Sequence, residues 1–274
     1  MGISLVRSIL YHYGIHGGQH DQHFLVDEAI LDRIVGSANI VPDDIVLEIG
    51  AGIGNLTERL LRQAGRVIAV ESDPKLVAVL EDRFKGEEKL HLVHGDALKV
   101  EFPLFDKVVA NLPYSISSEI TFKLFRYDFK LGVLMYQYEF ARRMIAKPGS
   151  DEYSRLTVNT TYFADVSVIM KVPKGAFSPP PQVESAVVKV CPRPTPFTVV
   201  NKEFFFKFVT AVFTKRRKKI KNAIIESNHI LGIYNVRQVV SRLPEDLMEL
   251  RPENLYPVQL AALSDRILEL QQEA

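Results

Sequence analysis

The chain has 274 residues, of which 47% are hydrophobic and 24% are charged, as in ordinary globular proteins. The formal net charge is only +1, so any surface basic enough to attract nucleic acid must be local. The single cysteine, Cys191, excludes an internal disulfide framework and a cysteine-rich zinc site. No apolar run is long enough to span a membrane and no signal peptide is evident, so we expect a cytoplasmic protein.

The first twenty residues are rich in Gly and His without a clear period, which predicts a flexible arm over residues 1–20. Apolar runs typical of buried strands then alternate with stretches of helical spacing. The predicted strands are 45–49, 67–70, 90–93, 107–110, 131–136, 166–172 and 185–190, and the predicted helices are 26–39, 55–63, 74–84 and 117–125. Such alternation predicts an α/β fold, a Rossmann-like and mostly parallel sheet covered by helices on both faces.

The last two predicted strands have no helix of adequate length between them, so we expect them to form an antiparallel edge. The proline-rich residues 192–196 predict a stiff boundary. Beyond it, residues 202–270 show helical periods only. The sequence therefore predicts a catalytic α/β domain over 1–192 and a small all-α domain over 197–274.

A glycine-rich turn joins the first long strand to the next helix. Glu48 is followed by Gly50, Gly52 and Gly54, and Asn55 opens the helix. The spacing Gly-x-Gly-x-Gly differs from the Gly-x-Gly-x-x-Gly of dinucleotide enzymes. An acid beside the turn suits a cationic ligand better than a pyrophosphate. By itself this pattern is equally consistent with an ordinary tight turn.

Two further acids follow the next two strands. Glu71 closes the second long strand, where a carboxylate can accept both hydroxyls of a ribose. Asp96 follows the third and can accept a hydrogen bond from an adenine amine. Each could instead cap a helix or lie in a solvated loop. Because the carboxyl ends of parallel strands share one edge of the sheet, the set predicts an S-adenosylmethionine site.

The segment Asn111-Leu112-Pro113-Tyr114 follows the fourth strand. The amine of adenine is a poor nucleophile because its lone pair is delocalised into the ring. The side-chain oxygen of Asn111 and the carbonyl of Leu112 could accept its two protons and direct the lone pair at a methyl donor. Pro113 would stiffen the turn, and Tyr114 offers a face on which the base can stack. The alternative is a loop that merely ends a strand.

A local run of cations lies in the predicted helical region, with apolar residues on its other side. Its members are Lys215, Arg216, Arg217, Lys218, Lys219 and Lys221. Such a run is often only a solvated face, but in an otherwise neutral chain it favours contact with RNA phosphates. Arg142, Arg143 and Lys147 form a second, weaker basic stretch.

Together these segments resemble the ribosomal RNA adenine dimethyltransferase family, which includes bacterial KsgA, its archaeal and eukaryotic counterparts and the Erm enzymes. The matching segments run along nearly the whole chain in family order: 22–25, 48–55, Glu71, 95–97, 111–114 and 177–183. Residues 136–143 and 153–156 are more similar to the archaeal and eukaryotic branch.

The resemblance implies that His23, Leu25, Gly50, Glu71, Asp96 and Asn111 contact the cofactor. It implies that Phe177 stacks on the target adenine opposite Tyr114. The implied substrate is a pair of adjacent adenosines near the 3′ end of small-subunit rRNA, each methylated twice. His16, His20 and His23 have no cysteine partner at close spacing, and we expect no metal site there.

Three other functions stay open. An Erm-like enzyme acting on large-subunit rRNA shares most of these motifs. A non-catalytic ribosome-assembly factor on the same fold predicts eroded catalytic residues, whereas Asn111, Pro113, Tyr114 and Phe177 are present. A small-molecule methyltransferase would leave the cation run and Phe177 without a role. Nothing in the sequence requires more than a monomer.

Overall fold

A seven-stranded sheet forms the centre of the larger unit in the computed structural model, which describes residues 3–15 and 22–273. The strands are β1 (Phe24–Leu25), β2 (Ile45–Ile49), β3 (Arg66–Glu71), β4 (Leu90–His94), β5 (Lys107–Asn111), β6 (Leu131–Gln137), β7 (Ala164–Val172), β8 (Phe177–Ser178) and β9 (Ser185–Pro192). The order in the large sheet is β4-β3-β2-β5-β6-β9-β7, while β1 and β8 form a separate antiparallel pair.

The first five strands of the large sheet, from β4 to β6, run parallel to their neighbours. Strand β9 runs antiparallel to β6 and adjoins β7, so the two predicted late strands are neighbours at the sheet edge. Chain order reverses between β2 and β5, which flank each other. In open α/β sheets, ligands bind at the carboxyl ends of strands beside such a switch point.

Helices accompany the sheet, and two of them begin at residues whose side chains cap the first turn. They are α1 (Ile3–His12), α2 (Glu28–Ser37), α3 (Asn55–Leu61), α4 (Pro74–Arg83), α5 (Ser117–Leu124) and α6 (Tyr138–Met144). The Asp27 side chain accepts a hydrogen bond from the backbone N–H of Ile30, 3.0 Å away. Asp73 does the same for Lys75 at 2.8 Å, and Pro74 occupies the first helical position.

The predicted flexible arm is wrong for the residues that form α1. Val6 and Leu10 are buried in a cluster with Phe24, and the Tyr13 hydroxyl donates a hydrogen bond to Asp82. Helical apolar spacing was obscured in the sequence by the Gly- and His-rich residues that follow. Residues 1, 2 and 16–21 lie outside the described residues. The rest of the predicted arm, with the histidines at 16 and 20, falls in these ranges.

The second unit consists of residues 142–165 and 193–274. Its helices are α7 (Arg155–Phe163), α8 (Lys202–Phe213), α9 (Ile220–Glu226), α10 (Asn228–Leu231), α11 (Val236–Ser241), α12 (Glu245–Met248) and α13 (Pro257–Gln272). The predicted boundary at the prolines placed 142–165 in the first domain, whereas these residues pack with the C-terminal helices. Tyr153 shows why: its ring is fully buried in their core, and its hydroxyl donates to the Leu255 carbonyl at 2.7 Å.

The predicted fold class is confirmed, since a mostly parallel sheet with an antiparallel edge is accompanied by an all-α C-terminal region. Each predicted strand is present within two residues of its expected bounds. In the described part of the chain, none of the helices combines the length and apolar character needed to cross a bilayer.

Candidate active site

A cavity of about 560 Å³ opens at the carboxyl ends of β2, β3 and β5. This volume is within the range of small-ligand and cofactor sites. The segments that line it are 22–25, 48–53, 70–74, 96–97 and 111–116, with Leu31, Asn55, Leu56 and Leu76. The structure therefore brings together all of the predicted cofactor residues and the predicted Asn111–Tyr114 segment.

The glycine turn has the backbone geometry that its sequence predicted. Gly50, Gly52 and Gly54 have φ values of +74°, +60° and +84°, in the left-handed region that favours glycine. A Cβ at Gly54 would lie 2.5 Å from the Phe84 ring. The turn therefore requires glycine both for its conformation and for the packing of α4 against it.

Glu71 forms the wall next to this turn. Its carboxylate accepts backbone hydrogen bonds from Gly52 at 2.9 Å, Ser72 at 2.8 Å and Asp73 at 2.9 Å. Three donors fix the orientation of the carboxylate at the end of β3. A carboxylate held in this way at the strand end can accept the hydroxyls of a ribose.

Asp96 follows β4, and residues of the same loop orient its carboxylate. One carboxylate oxygen accepts the Leu98 backbone N–H at 2.9 Å, and the other lies 3.4 Å from the Lys99 ammonium. The Leu98 hydrogen bond, helped by Lys99, holds the pKa of Asp96 below its ordinary value. Asp96 is therefore a charged acceptor at neutral pH on the rim of the cavity.

Glu48 differs from the expectation of a charged acid facing a cation. Its side chain is only 1% exposed and accepts a hydrogen bond from the Thr57 hydroxyl at 2.6 Å. Burial raises the pKa of Glu48 to about 8, so the carboxyl is mostly protonated at neutral pH. It still contributes to the lining of the cavity. In this structure the group under the glycine turn is a neutral acid.

Hydrogen bonds connect β1 and the residue before it to the glycine turn and to the end of β5. The Leu25 carbonyl accepts a hydrogen bond from the Asn55 side chain at 2.9 Å, and the His23 carbonyl accepts one from Asn111 at 3.1 Å. Gln22 donates to the Asp73 carboxylate at 2.8 Å. Sequence reasoning missed the roles of Gln22 and Asn55, although the amide directly after the glycine turn was the available signal.

The Asn111 amide has a defined orientation. Its nitrogen donates to the His23 carbonyl, and the two ends of a planar amide diverge. The oxygen is therefore directed away from His23 and is available as an acceptor at the end of β5. Leu112 is 2% exposed, and Pro113 has φ −58°, which sets the chain direction into the turn at Tyr114.

Contacts with Ser185 and His23 hold Tyr114 beside the cavity. Its hydroxyl lies 2.5 Å from the Ser185 hydroxyl at the start of β9. Its ring centroid lies 6.1 Å from that of His23, at an interplanar angle of 30°. The His23 ring is fixed in turn, because Nδ1 lies 3.0 Å from the Pro179 carbonyl. Tyr114 is thus a positioned aromatic face on the cavity lining.

Phe177, which is predicted to form the second wall of the base site, is not among the residues that line this cavity. It is 4% exposed and belongs to a hydrophobic cluster beneath β1. The reason is the pairing of β8 with β1, in which Phe177 opposes Leu25. The structure therefore gives Phe177 a supporting position under β1, and Tyr114 is the predicted stacking residue that lines the cavity.

Residues 215–219 of the cation run lie in the connection between α8 and α9 rather than in the predicted helix, and Lys221 lies in the first turn of α9. Lys219 directly precedes α9 and has an extended conformation (φ −57°, ψ 143°). This conformation prevents a continuous helix through the run. Most of the cations are paired with acids of the same unit. Glu226 pairs with Lys218, Glu249 with Lys219 and Lys221, and Glu253 with Arg216.

Lys215 and Arg217 are the exposed members of this run for which the described residues provide no ion pair. Any attraction for RNA phosphates therefore depends most on these two side chains. Among residues 3–15 and 22–273, no group of three or more His, Cys, Asp or Glu side chains is arranged to hold a metal ion.

The sheet order, the glycine turn and the Asn111–Tyr114 segment define a Rossmann-like methyltransferase. The family model for ribosomal RNA adenine dimethylase matches residues 18–242. The chain belongs to this family, and the predicted family and enzyme class are confirmed.

Three similar proteins illustrate the relationship. A probable ribosomal RNA small subunit methyltransferase A of Methanosarcina barkeri is 61% identical over 269 residues, covering 98% of this chain and 94% of that protein. The crystal structure of a dimethyladenosine transferase from Plasmodium falciparum has a TM-score of 0.79 and 34% identity, covering 92% of this chain and 98% of its own. That of the 23S rRNA methyltransferase ErmE has a TM-score of 0.66 and 28% identity, covering 89% and 99% respectively.

Proposed function

We propose that this protein dimethylates two adjacent adenosines near the 3′ end of small-subunit rRNA, with S-adenosylmethionine as the methyl donor, and so contributes to small-subunit biogenesis. The observation that carries the proposal is the fixed amide of Asn111 at the end of β5, inside a cavity that also contains Glu71 and Asp96. The small-subunit substrate is supported by the name of the Methanosarcina barkeri relative.

The residues of the cavity fit this cofactor. Glu71 would accept the ribose hydroxyls and Asp96 the adenine amine, while the glycine turn leaves room for close approach of the ligand. His23, which directly precedes β1, and Leu25, on β1, would cover the ligand from the other side. When bound, S-adenosylmethionine supplies an electrophilic methyl group. A cationic ligand near Glu48 would favour the charged form of this carboxyl, whose pKa burial raises to about 8.

Asn111 then acts on the substrate amine. Its side-chain oxygen and the Leu112 carbonyl would each accept a hydrogen bond from the N6 amine of the target adenine. This favours a tetrahedral nitrogen whose lone pair is directed out of the ring plane. No strong base is needed before attack, because the proton leaves only after the nitrogen has become cationic.

The target base must leave its stack to reach this site, which is easiest in an unpaired segment of RNA. Tyr114 would stack on the inserted base, and the bond to Ser185 keeps the ring in place. In the described position Phe177 supports β1, so we assign the wall of the base site to Tyr114. Lys215 and Arg217 are the cations that we propose for contact with RNA phosphates.

The main alternative is methylation of large-subunit rRNA, which the similarity to ErmE supports. The direct test incubates the protein and labelled S-adenosylmethionine with immature small subunits, large subunits and naked rRNA, followed by mapping of the methylated adenines. We expect dimethyladenosine at two adjacent positions of small-subunit rRNA. Label confined to the large subunit would contradict the proposal. A non-catalytic assembly factor would leave all three substrates unlabelled.

A further inference from the structure

A second groove, of about 490 Å³, lies in the same unit as the active-site cavity. It is formed where β6 ends and where the chain enters β9. The residues that matter here are Gln137, Tyr138, Lys174, Gln182 and Glu184. None of them has a role in the methyl transfer described above.

The groove adjoins the base site through Ser185. The Ser185 hydroxyl contacts Tyr114 at 2.5 Å, and Ser185 is the register partner of Gln137 across β6 and β9. On the other side, Asn111 is paired with Met135, two residues before Gln137. With strands about 4.8 Å apart and a rise of about 3.3 Å per residue, the Cα atoms of Asn111 and Gln137 are roughly 8 Å apart.

The groove contains an aromatic ring that is fixed from one side. The Lys171 ammonium lies 4.7 Å from the centroid of the Tyr138 ring and 2.5 Å from the Glu184 carboxylate. The backbone N–H of Tyr138 also donates to the Glu184 carbonyl at 2.9 Å. A cation on one face leaves the opposite face for stacking with a base. The half-buried ring is thus held in place without being enclosed by a core.

The polar side chains around this ring are of the types that can pair with the edge of a purine base. Gln137 and Gln182 carry amides, and a glutamine amide pairs with adenine by donating to N7 and accepting from N6. The exposed carboxylate of Glu139 is a further acceptor for an exocyclic amine. Lys174 is exposed at the groove and can neutralise a phosphate. The Glu184 charge is already paired with Lys171.

We propose that this groove binds the adenosine adjacent to the target while the target adenosine is methylated. The inference rests on the proposed function, because it requires a substrate with two neighbouring adenosines. One base enters the site beside Tyr114, which follows β5. The neighbouring base stacks on Tyr138, which follows the adjacent strand β6. The groove thereby makes the adjacent base a determinant of specificity.

The test combines RNA and protein variants in a cycle. Small subunits are reconstituted with rRNA in which each adenosine of the pair is replaced in turn by uridine, and kcat/KM is measured for methylation of the adenosine that remains. With the wild-type enzyme we expect one of the two replacements to lower kcat/KM roughly tenfold, the value of a bidentate base contact. Gln182→Ala should lower kcat/KM by a similar factor on unaltered rRNA and remove the preference for adenosine over uridine.

Further variants separate stacking from folding. Tyr138→Ala should lose the preference and Tyr138→Phe should keep it, because the ring is retained. Gln63→Ala removes an exposed amide outside the groove and serves as the matched control. The affinity for S-adenosylmethionine, measured by calorimetry, should be unchanged in all of them. The inference would be overturned if Gln182→Ala kept a tenfold preference for adenosine over uridine at the neighbouring position. It would also be overturned if kcat/KM of the wild-type enzyme did not depend on the neighbouring base. A wild-type enzyme that methylates neither adenosine of unaltered subunits would overturn the proposed function itself.

Discussion

Replacement of Glu48 by glutamine tests the electrostatics of the buried site. The carboxyl is 1% exposed, and burial raises its pKa from 4.5 to about 8, with the charge of Glu71 adding to the effect and Arg83 opposing it. Below pH 4.5 the group is protonated in both the folded and the unfolded chain. Above that pH only the unfolded chain ionises, so this group increasingly favours unfolding until the pH passes 8.

The magnitude follows from the size of the shift. One pKa unit corresponds to about 1.4 kcal/mol, so the penalty is roughly 3 kcal/mol at pH 7 and roughly 5 kcal/mol above pH 8. Glutamine has nearly the same shape, keeps an oxygen that can accept from Thr57 and does not titrate. Glu48→Gln should therefore raise the free energy of unfolding, by little at pH 5 and by up to several kcal/mol at pH 8.

The assay is urea unfolding of both proteins at a series of pH values from 5 to 9, with Glu81→Gln as the control. Glu81 is an exposed carboxylate on α4, and its removal should leave the free energy of unfolding almost unchanged. A difference between wild type and Glu48→Gln that stays constant from pH 5 to 9 would show that burial does not keep the Glu48 carboxyl neutral. So would a variant whose deficit in stability grows as the pH rises.

Two further changes are expected to have measurable effects. Gly54→Ala should destabilise the protein by about 2–4 kcal/mol, because a Cβ at φ +84° would also lie 2.5 Å from the Phe84 ring; an unchanged melting temperature would contradict this. Lys215→Ala combined with Arg217→Ala should reduce rRNA affinity and the slope of its salt dependence more than Lys218→Ala combined with Lys219→Ala does, since Lys218 and Lys219 are already paired with carboxylates. Equal losses in a filter-binding titration at several salt concentrations would show that the ion pairs do not matter.

The sheet and the cofactor cavity could be predicted because their signals are local. Each strand is a short apolar run bounded by turn residues, and the glycine spacing specifies a backbone conformation that only glycine favours. Glu71, Asp96 and Asn111 were then placed together by a general property of parallel sheets, whose strands end at one edge.

The features that were missed depend on contacts between distant residues. The burial of Phe177 follows from the pairing of β8 with β1, which neither two-residue strand could reveal. The helix predicted through the cation run is interrupted over residues 214–219, and the Lys219 ammonium pairs with Glu249 thirty positions later. Residues 142–165 join the helical unit because of the buried Tyr153, although the prolines suggested a later boundary.

In the proposed reaction, the oriented amide of Asn111 makes the adenine amine reactive. The decisive measurement compares wild-type protein with Asn111→Ala on immature small subunits, using mass spectrometry of the rRNA to quantify dimethyladenosine and calorimetry to measure affinity for S-adenosylmethionine. We expect transfer to fall by at least about a hundredfold in the variant, with cofactor affinity changed by only a few fold. Wild-type turnover by Asn111→Ala would contradict the account.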